Sequence, residues 1–368
     1  MSCPTWKQYC SFAIRDSGPP AESGDYTTLI IFHGLQFHSA TFDKLFPFVA
    51  GLKIRLVTVN RPGYPGATPL SELERKKLDK VSEGQLTNKE FGAAVVLDHI
   101  KASAKKAYDF LVQYVSGQGI QVSGGIIVIG WSFGSLIVLG LLAYADDFLT
   151  NDSDINLRAY LKHVVLYDPP STLLGYPPPQ NFYSPFTDPL LTPGEVPRIF
   201  PLWVSGHYAH GDNFVNLRCG YTEALCDPPP TAVKMDPSEA QRCIESSSMR
   251  PTGGSDAQVL VLGATLGAFA RLKDAALYLE GVREQKPLLN NWDDVQIKYV
   301  WCDQSAWEMP WSAICLQDEL KENSTNLGRG RLIRRIEMVR LRGANHLYHW
   351  EEPEAALKRL LMGNNGGE

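Results

Sequence analysis

Positive charge is in short supply: 35 Lys and Arg stand against 40 Asp and Glu in 368 residues, a formal net charge of −5 at pH 7. A chain with this balance has no overall field for gripping phosphate backbones, so nucleic acid is not expected as a partner. Cysteines are also few. The seven (Cys3, Cys10, Cys219, Cys226, Cys243, Cys302 and Cys315) form no CxxC pair and no zinc-like Cys/His spacing, so reduced thiols in a cytoplasmic protein are expected. No apolar run of signal-peptide length lies between Met1 and Asp16, and the chain is read as starting directly in folded structure. Without a secretory route, the triplets Asn151-Asp152-Ser153 and Asn323-Ser324-Thr325 carry little meaning as glycosylation sites.

Charge is missing altogether from Phe110 to Ala145, and Ile126 to Ala145 is apolar enough to resemble a membrane span. Gly124, Gly125, Gly130 and Gly134 interrupt it, however. A buried strand turning sharply into a buried helix suits that pattern better.

What is present is an alternation of apolar runs of strand length with helix-like stretches, as in a parallel sheet covered on both faces. The strand-like runs are Thr28 to Phe32, Ile54 to Val59, Ile126 to Ile129, His163 to Tyr167, Val295 to Trp301 and Ile336 to Leu341, with Tyr9 to Ile14 as a further edge strand. Helices are expected at about Ala40 to Val49, Asn88 to Val115, Ser132 to Ala145 and Pro353 to Met362. The charged stretch Glu72 to Lys80 reads as a solvated surface excursion, and Asn364 to Glu368 as a frayed end.

After Asp168 the composition shifts. Pro177-Pro178-Pro179, Pro228-Pro229-Pro230 and many further prolines are interleaved with Tyr176, Phe182, Tyr183, Phe186, Phe200, Trp203, Tyr208 and Phe214. A sheet core does not tolerate so much proline. The organisation expected is a core over residues 1–168, an inserted cap with pocket-lining aromatics over 169–255, and a second part of the core over 256–368, helical from about Ala257 to Gly281.

The chemistry-bearing pattern is Gly130-Trp131-Ser132-Phe133-Gly134 after four β-branched residues and before an apolar helix. This is Gly-x-Ser-x-Gly in the strand-turn-helix context of a nucleophile elbow. The turn is so tight that side chains two residues either side of the serine would meet neighbouring backbone, hence the glycines. A serine hydroxyl is a poor nucleophile at neutral pH and needs a base that takes its proton and later returns it to the leaving group. Histidine suits both halves. Of the eight histidines, His346 sits in a short loop between the last strand and the last helix, which brings it to the sheet edge where Ser132 emerges; His349 is the local competitor.

With these residues the sequence resembles the α/β-hydrolase superfamily over nearly its whole length apart from the cap. The matching motifs stand in family order: His33-Gly34-Leu35, Asn60-Arg61-Pro62-Gly63-Tyr64-Pro65-Gly66, the Ser132 elbow, an acid after a later strand, and Gly343-Ala344-Asn345-His346. The resemblance implies an α/β-hydrolase fold: a doubly wound, mostly parallel sheet with an inserted cap (lid) subdomain. It also implies Ser132 as nucleophile, His346 as general base, and the amides of Leu35 and Phe133 as the oxyanion hole. No metal or organic cofactor is required. The acid stays open between two residues. Where the family commonly has Gly-x-x-Asp, this sequence has Cys302-Asp303-Gln304-Ser305, with Asp303 two residues early. Asp168, directly after the strand that follows the elbow, is the position some members use instead.

Other clusters have plainer readings. His207-Tyr208-Ala209-His210-Gly211-Asp212 offers three possible metal ligands but lacks a zincin glutamate, and a pocket or surface role is favoured. The run Arg329, Arg331, Arg334, Arg335, Arg340, Arg342 reads as a solvated face. His33 and His38 flank the oxyanion loop and are expected to support it. Trp301, Trp307 and Trp311 are expected to pack. The expected activity is that of a serine hydrolase acting on an ester, lactone or thioester of a largely apolar small molecule. The alternatives are the same fold used as a biosynthetic lyase, cyclase, acyltransferase or carbon–carbon bond hydrolase, or as a non-catalytic ligand-binding member.

Overall fold

A computed structural model describes residues 4–21, 25–84, 88–148, 155–211, 217–220, 223–279, 292–325 and 330–361. Cys3, the Asn151 triplet, Asp212, Phe214, Gly281, Arg329, Met362 and the tail from Asn364 lie outside them.

Runs of β-branched and large apolar residues form a sheet of eight strands: β1 (Lys7–Tyr9), β2 (Phe12–Asp16), β3 (Thr27–Phe32), β4 (Ile54–Asn60), β5 (Ile126–Trp131), β6 (Leu161–Tyr167), β7 (Ile297–Cys302) and β8 (Ile336–Leu341). Their order is β1-β2-β4-β3-β5-β6-β7-β8. β1 and β2 pair antiparallel, β2 pairs antiparallel with β4, and the other pairings are parallel. The expected single edge strand is thus a hairpin, turned at Cys10 in the left-handed region (φ 54°).

Strand order places β3 between β4 and β5, so the chain leaves β3 towards one edge and leaves β5 towards the other. Loops that diverge at such a switch point open a crevice beyond the carboxyl ends of the strands. Gly34, after β3, and Ser132, after β5, lie at that crevice. Sequence pattern and topology therefore meet at one place.

The charge-free stretch resolves as expected into strand and helix. β5 is wholly buried, and the helix α3 (Ser135–Tyr144) is apolar on all sides because the long helix α2 (Lys89–Gly117) and the helix Ala268–Leu277 both pack against it. Among the described residues no helix is long and apolar enough to cross a membrane.

Two expectations differ in local form. Ser39–Phe48 is a 3-10 helix, with His38 capping its start and Pro47 near its end. Glu72 to Lys80 is more ordered than a surface excursion. It belongs to helix α1 (Glu72–Ser82), opened by a capping box of Ser71 and Glu74, with a charged outer face and Leu78 and Val81 buried beneath. Between β6 and the helix Asp256–Leu266 the described residues hold short helices, among them Val196–Val204 and Pro237–Cys243, and no strand of the sheet. Proline explains both facts: it opens helices but cannot donate to a ladder. The aromatics of this stretch pack on one another, Phe186 on Phe200, Phe200 on Trp203 and Tyr183 on Trp203. Trp307 and Trp311 donate to the carbonyls of Tyr183 and Pro177 at 2.7 and 2.8 Å and so fasten it to the segment that follows β7.

Candidate functional site

Ser132 adopts φ 53°, a left-handed conformation that an L-residue enters only when its surroundings hold it there. The cause is steric and local. A Cβ on Gly134 would lie 2.3 Å from the Phe32 carbonyl oxygen, one on Gly130 2.5 Å from the Gly134 carbonyl oxygen, and one on Gly34 2.9 Å from the Ser132 Cβ. The elbow is wedged between β3 and the start of α3. Backbone atoms cannot give way as side-chain ends can, so Gly134→Ala is expected to destabilise the fold by about 3 kcal/mol. Urea unfolding reads this directly; an unchanged midpoint would mean that the elbow is not packed this closely.

Asp168 shows the same signature. It follows β6 at φ 51° and is completely buried. A buried carboxylate needs its lone pairs filled. Here Oδ1 accepts from the Cys302 amide at 2.8 Å, and Oδ2 accepts from the Ser305 hydroxyl at 2.6 Å and from His346 Nδ1 at 2.7 Å. A carboxylate only accepts, so the bond assigns the hydrogen to Nδ1 and leaves Nε2 of His346 as the basic nitrogen. The His346 loop is tied to the elbow through Trp131, whose indole donates to the His346 carbonyl at 3.1 Å and whose ring packs on the imidazole with centroids 4.9 Å apart. Trp131 is the residue before Ser132.

Of the two acids left open by the sequence, Asp303 does not pair with the imidazole. Its carboxylate takes Arg340 Nε at 2.9 Å and the Gly343 amide at 2.8 Å, bracing the turn that leads to His346. Ser305 stands where the family pattern places its aspartate, and its hydroxyl donates to Asp168 instead.

Burial disfavours the charged form of several other histidines. His349 is fully buried against Phe42, Trp131 and Tyr167, and burial, with His346 adding to it, holds it well below its ordinary pKa. Burial, reinforced by Arg61, does the same to His33. Burial also pushes His38, the cap of the 3-10 helix, down to about 4. His207 and His210 are spent on protein partners: His207 Nε2 meets Asn345 Nδ2 at 3.2 Å, and His210 meets the Ser305 carbonyl at 2.8 Å and the Arg218 amide at 2.9 Å. No group of three metal-ligating side chains occurs among the described residues. The arginine run is dispersed, with Arg331 on Asp274, Arg340 on Asp303 and Arg334 buried on the carbonyls of Ala276, Trp292 and Leu142.

One network escaped the sequence reading. Asn345, next to His346, donates to the Ser205 carbonyl at 2.8 Å and to Thr231 Oγ1 at 2.7 Å, while the Thr231 hydroxyl donates to Glu351 at 2.6 Å and Lys234 reaches both Glu351 oxygens at 3.0 Å. The proline-rich stretch is thereby latched to the loop that carries His346. Burial raises the Glu351 pKa, but contacts with His207, Thr231 and Lys234 outweigh it and lower the value from 4.5 to about 2. A depressed carboxylate pKa contributes stability that is complete above about 4.5 and is lost as the pH falls towards 2. Glu351→Gln is therefore expected to lower the urea midpoint at pH 7 and to approach the parent between pH 5 and pH 3, roughly the window where linkage acts. A gap that stays constant across that range would refute the latch.

Comparison with known proteins identifies the family. The model of the alpha/beta hydrolase family matches residues 29–359, and the chain belongs to that family. No curated protein matches it in sequence. An epoxide hydrolase from Solanum tuberosum is similar in structure at 14% identity and a TM-score of 0.52, over 97% of each chain. One from Vigna radiata is similar at 10% identity and 0.51, over 97% of this chain and 95% of that one. A carboxylesterase from Bacillus subtilis reaches 16% identity and 0.46, over 99% and 92%. At such identities the likeness is one of fold.

Proposed function

We propose that the protein is a serine hydrolase that cleaves an ester, lactone or thioester of a largely apolar small molecule through an acyl-enzyme on Ser132. The observation that carries this reading is a strained serine at the elbow, next in the chain to a tryptophan that packs on the His346 imidazole, whose Nδ1 is held by a buried carboxylate, Asp168, at 2.7 Å. Ser132 attacks the carbonyl while Nε2 of His346 takes its proton, and Asp168 stabilises the imidazolium that forms. The amides of Leu35 and Phe133 receive the oxyanion, and the start of α3 adds its dipole. His346 returns the proton to the leaving group, then deprotonates the water that releases the acyl group. The stretch 169–255 serves as the cap over this edge, and its aromatics motivate the apolar substrate. Opening an epoxide through an ester intermediate needs a carboxylate nucleophile, and position 132 offers a hydroxyl.

A fluorophosphonate probe tests the proposal. Covalent labelling on the peptide that contains Ser132 is expected, blocked by prior heat denaturation. Failure to label folded protein would favour the lyase or non-catalytic alternatives.

A further inference from the structure

Arg61 lies far from Ser132 in sequence, in the loop after β4, yet its guanidinium is almost fully buried. Burial alone would lower its pKa; the Asp256 carboxylate and the Tyr64 oxygen more than reverse that, so it stays charged. Asp256 opens the helix Asp256–Leu266 and accepts from both terminal nitrogens of Arg61, from Nη1 at 3.0 Å, and from the Tyr64 hydroxyl at 2.5 Å. The charge so held donates from Nη2 to the Gly34 carbonyl at 2.9 Å.

That carbonyl belongs to the same peptide unit as the Leu35 amide. In a planar trans peptide the C=O and N–H point in opposite directions, so whatever pins Gly34 O aims the Leu35 N–H the other way. A second donor pins it too. The Arg61 amide donates to His33 Nε2 at 3.2 Å, which leaves the hydrogen on His33 Nδ1, 2.8 Å from the same Gly34 oxygen. Tyr64 continues the brace by accepting from the Gln36 amide at 3.3 Å, and the guanidinium carbon lies 5.2 Å from the centre of the Phe133 ring. A cation on the oxygen of an amide also polarises the amide and strengthens its N–H as a donor.

We infer that Arg61, held by Asp256, is a positioning residue that aims and polarises the Leu35 amide towards the oxyanion. The inference rests on the serine-hydrolase reading above and assigns these two side chains a place in it.

The test measures the rate of Ser132 phosphonylation by a fluorophosphonate, and kcat and KM for p-nitrophenyl butyrate, with active sites titrated so that only folded protein counts. Arg61→Met is expected to lower phosphonylation and kcat roughly ten- to hundredfold, less than the loss of a direct oxyanion donor, with KM within about twofold. Arg61→Lys restores part of the rate because it keeps a donor and the charge. Asp256→Asn, expected to cost roughly three- to tenfold, carries the test if Arg61→Met does not fold. A purely structural role would lower the melting temperature without changing kcat per titrated site. Folded Arg61 and Asp256 variants that match the parent rates, in a parent labelled at Ser132, would overturn this inference alone. A parent that is not labelled would overturn both.

Discussion

Replacing Ser132 with alanine should abolish ester turnover, by roughly ten-thousand- to million-fold in kcat, and should remove fluorophosphonate labelling altogether. The size of the loss follows from the chemistry assigned to one oxygen. Without it His346 has no hydroxyl to activate, and what remains is binding and an oxyanion hole acting on bulk water. The fold should not suffer. Alanine tolerates φ 53° no worse than serine, and it is the Cβ of residue 132, which alanine keeps, that lies close to Gly34. A Ser132→Ala protein with the melting temperature of its parent and the parent's rate on every ester tried would end the serine mechanism. Parent-like binding of an apolar ester without turnover would agree with it.

The second large effect separates the two carboxylates. Asp168→Asn should lower kcat by roughly ten-thousand-fold at pH 7 while leaving the backbone in place, since asparagine also enters the left-handed region readily. The reason is the direction of one hydrogen bond. An amide oxygen can keep accepting from the Cys302 amide, but the NH2 group then faces Ser305 and His346, where Oδ2 now accepts at 2.6 and 2.7 Å. The imidazole must present a bare Nδ1 to that donor. Its hydrogen moves to Nε2, the nitrogen required to take the serine proton. Rising pH should restore little, because the wrong tautomer is neutral already. Asp303→Asn loosens the Arg340 and Gly343 contacts and should cost far less, roughly tenfold at most, by letting the His346 loop drift. If the two variants exchanged these outcomes, Asp303 would be the acid and the geometry around Asp168 would be structural.

How much of this was legible in the residues varies by element. The parallel strands were readable because strands buried on both faces are nearly continuous apolar runs, and the elbow because its glycines are demanded by contacts only a few residues away. The helix Glu308–Thr325 was not foreseen, since its buried face is built from Met309, Pro310, Ser312, Ala313 and Leu316 and gives no clean apolar stripe. The helix α1 was hidden for a related reason: only Leu78 and Val81 are buried in a run of charges, and its capping box is a two-residue signal.

Local rules thus determined where each reactive group sits along the chain: a serine at a forced bend, a histidine after the last strand, an aspartate at each of two strand ends. Which aspartate meets the imidazole was decided only by tertiary structure. β6 and β7 lie side by side, so the amide of Cys302 and the hydroxyl of Ser305 converge on Asp168, while Arg340 from β8 draws Asp303 away. The same holds for Arg61 and Asp256, 195 positions apart in the chain and joined in one ion pair. Hydrogen-bond direction and charge pairing depend on separations of a few ångströms between distant segments, and no pattern of neighbouring residues encodes those separations.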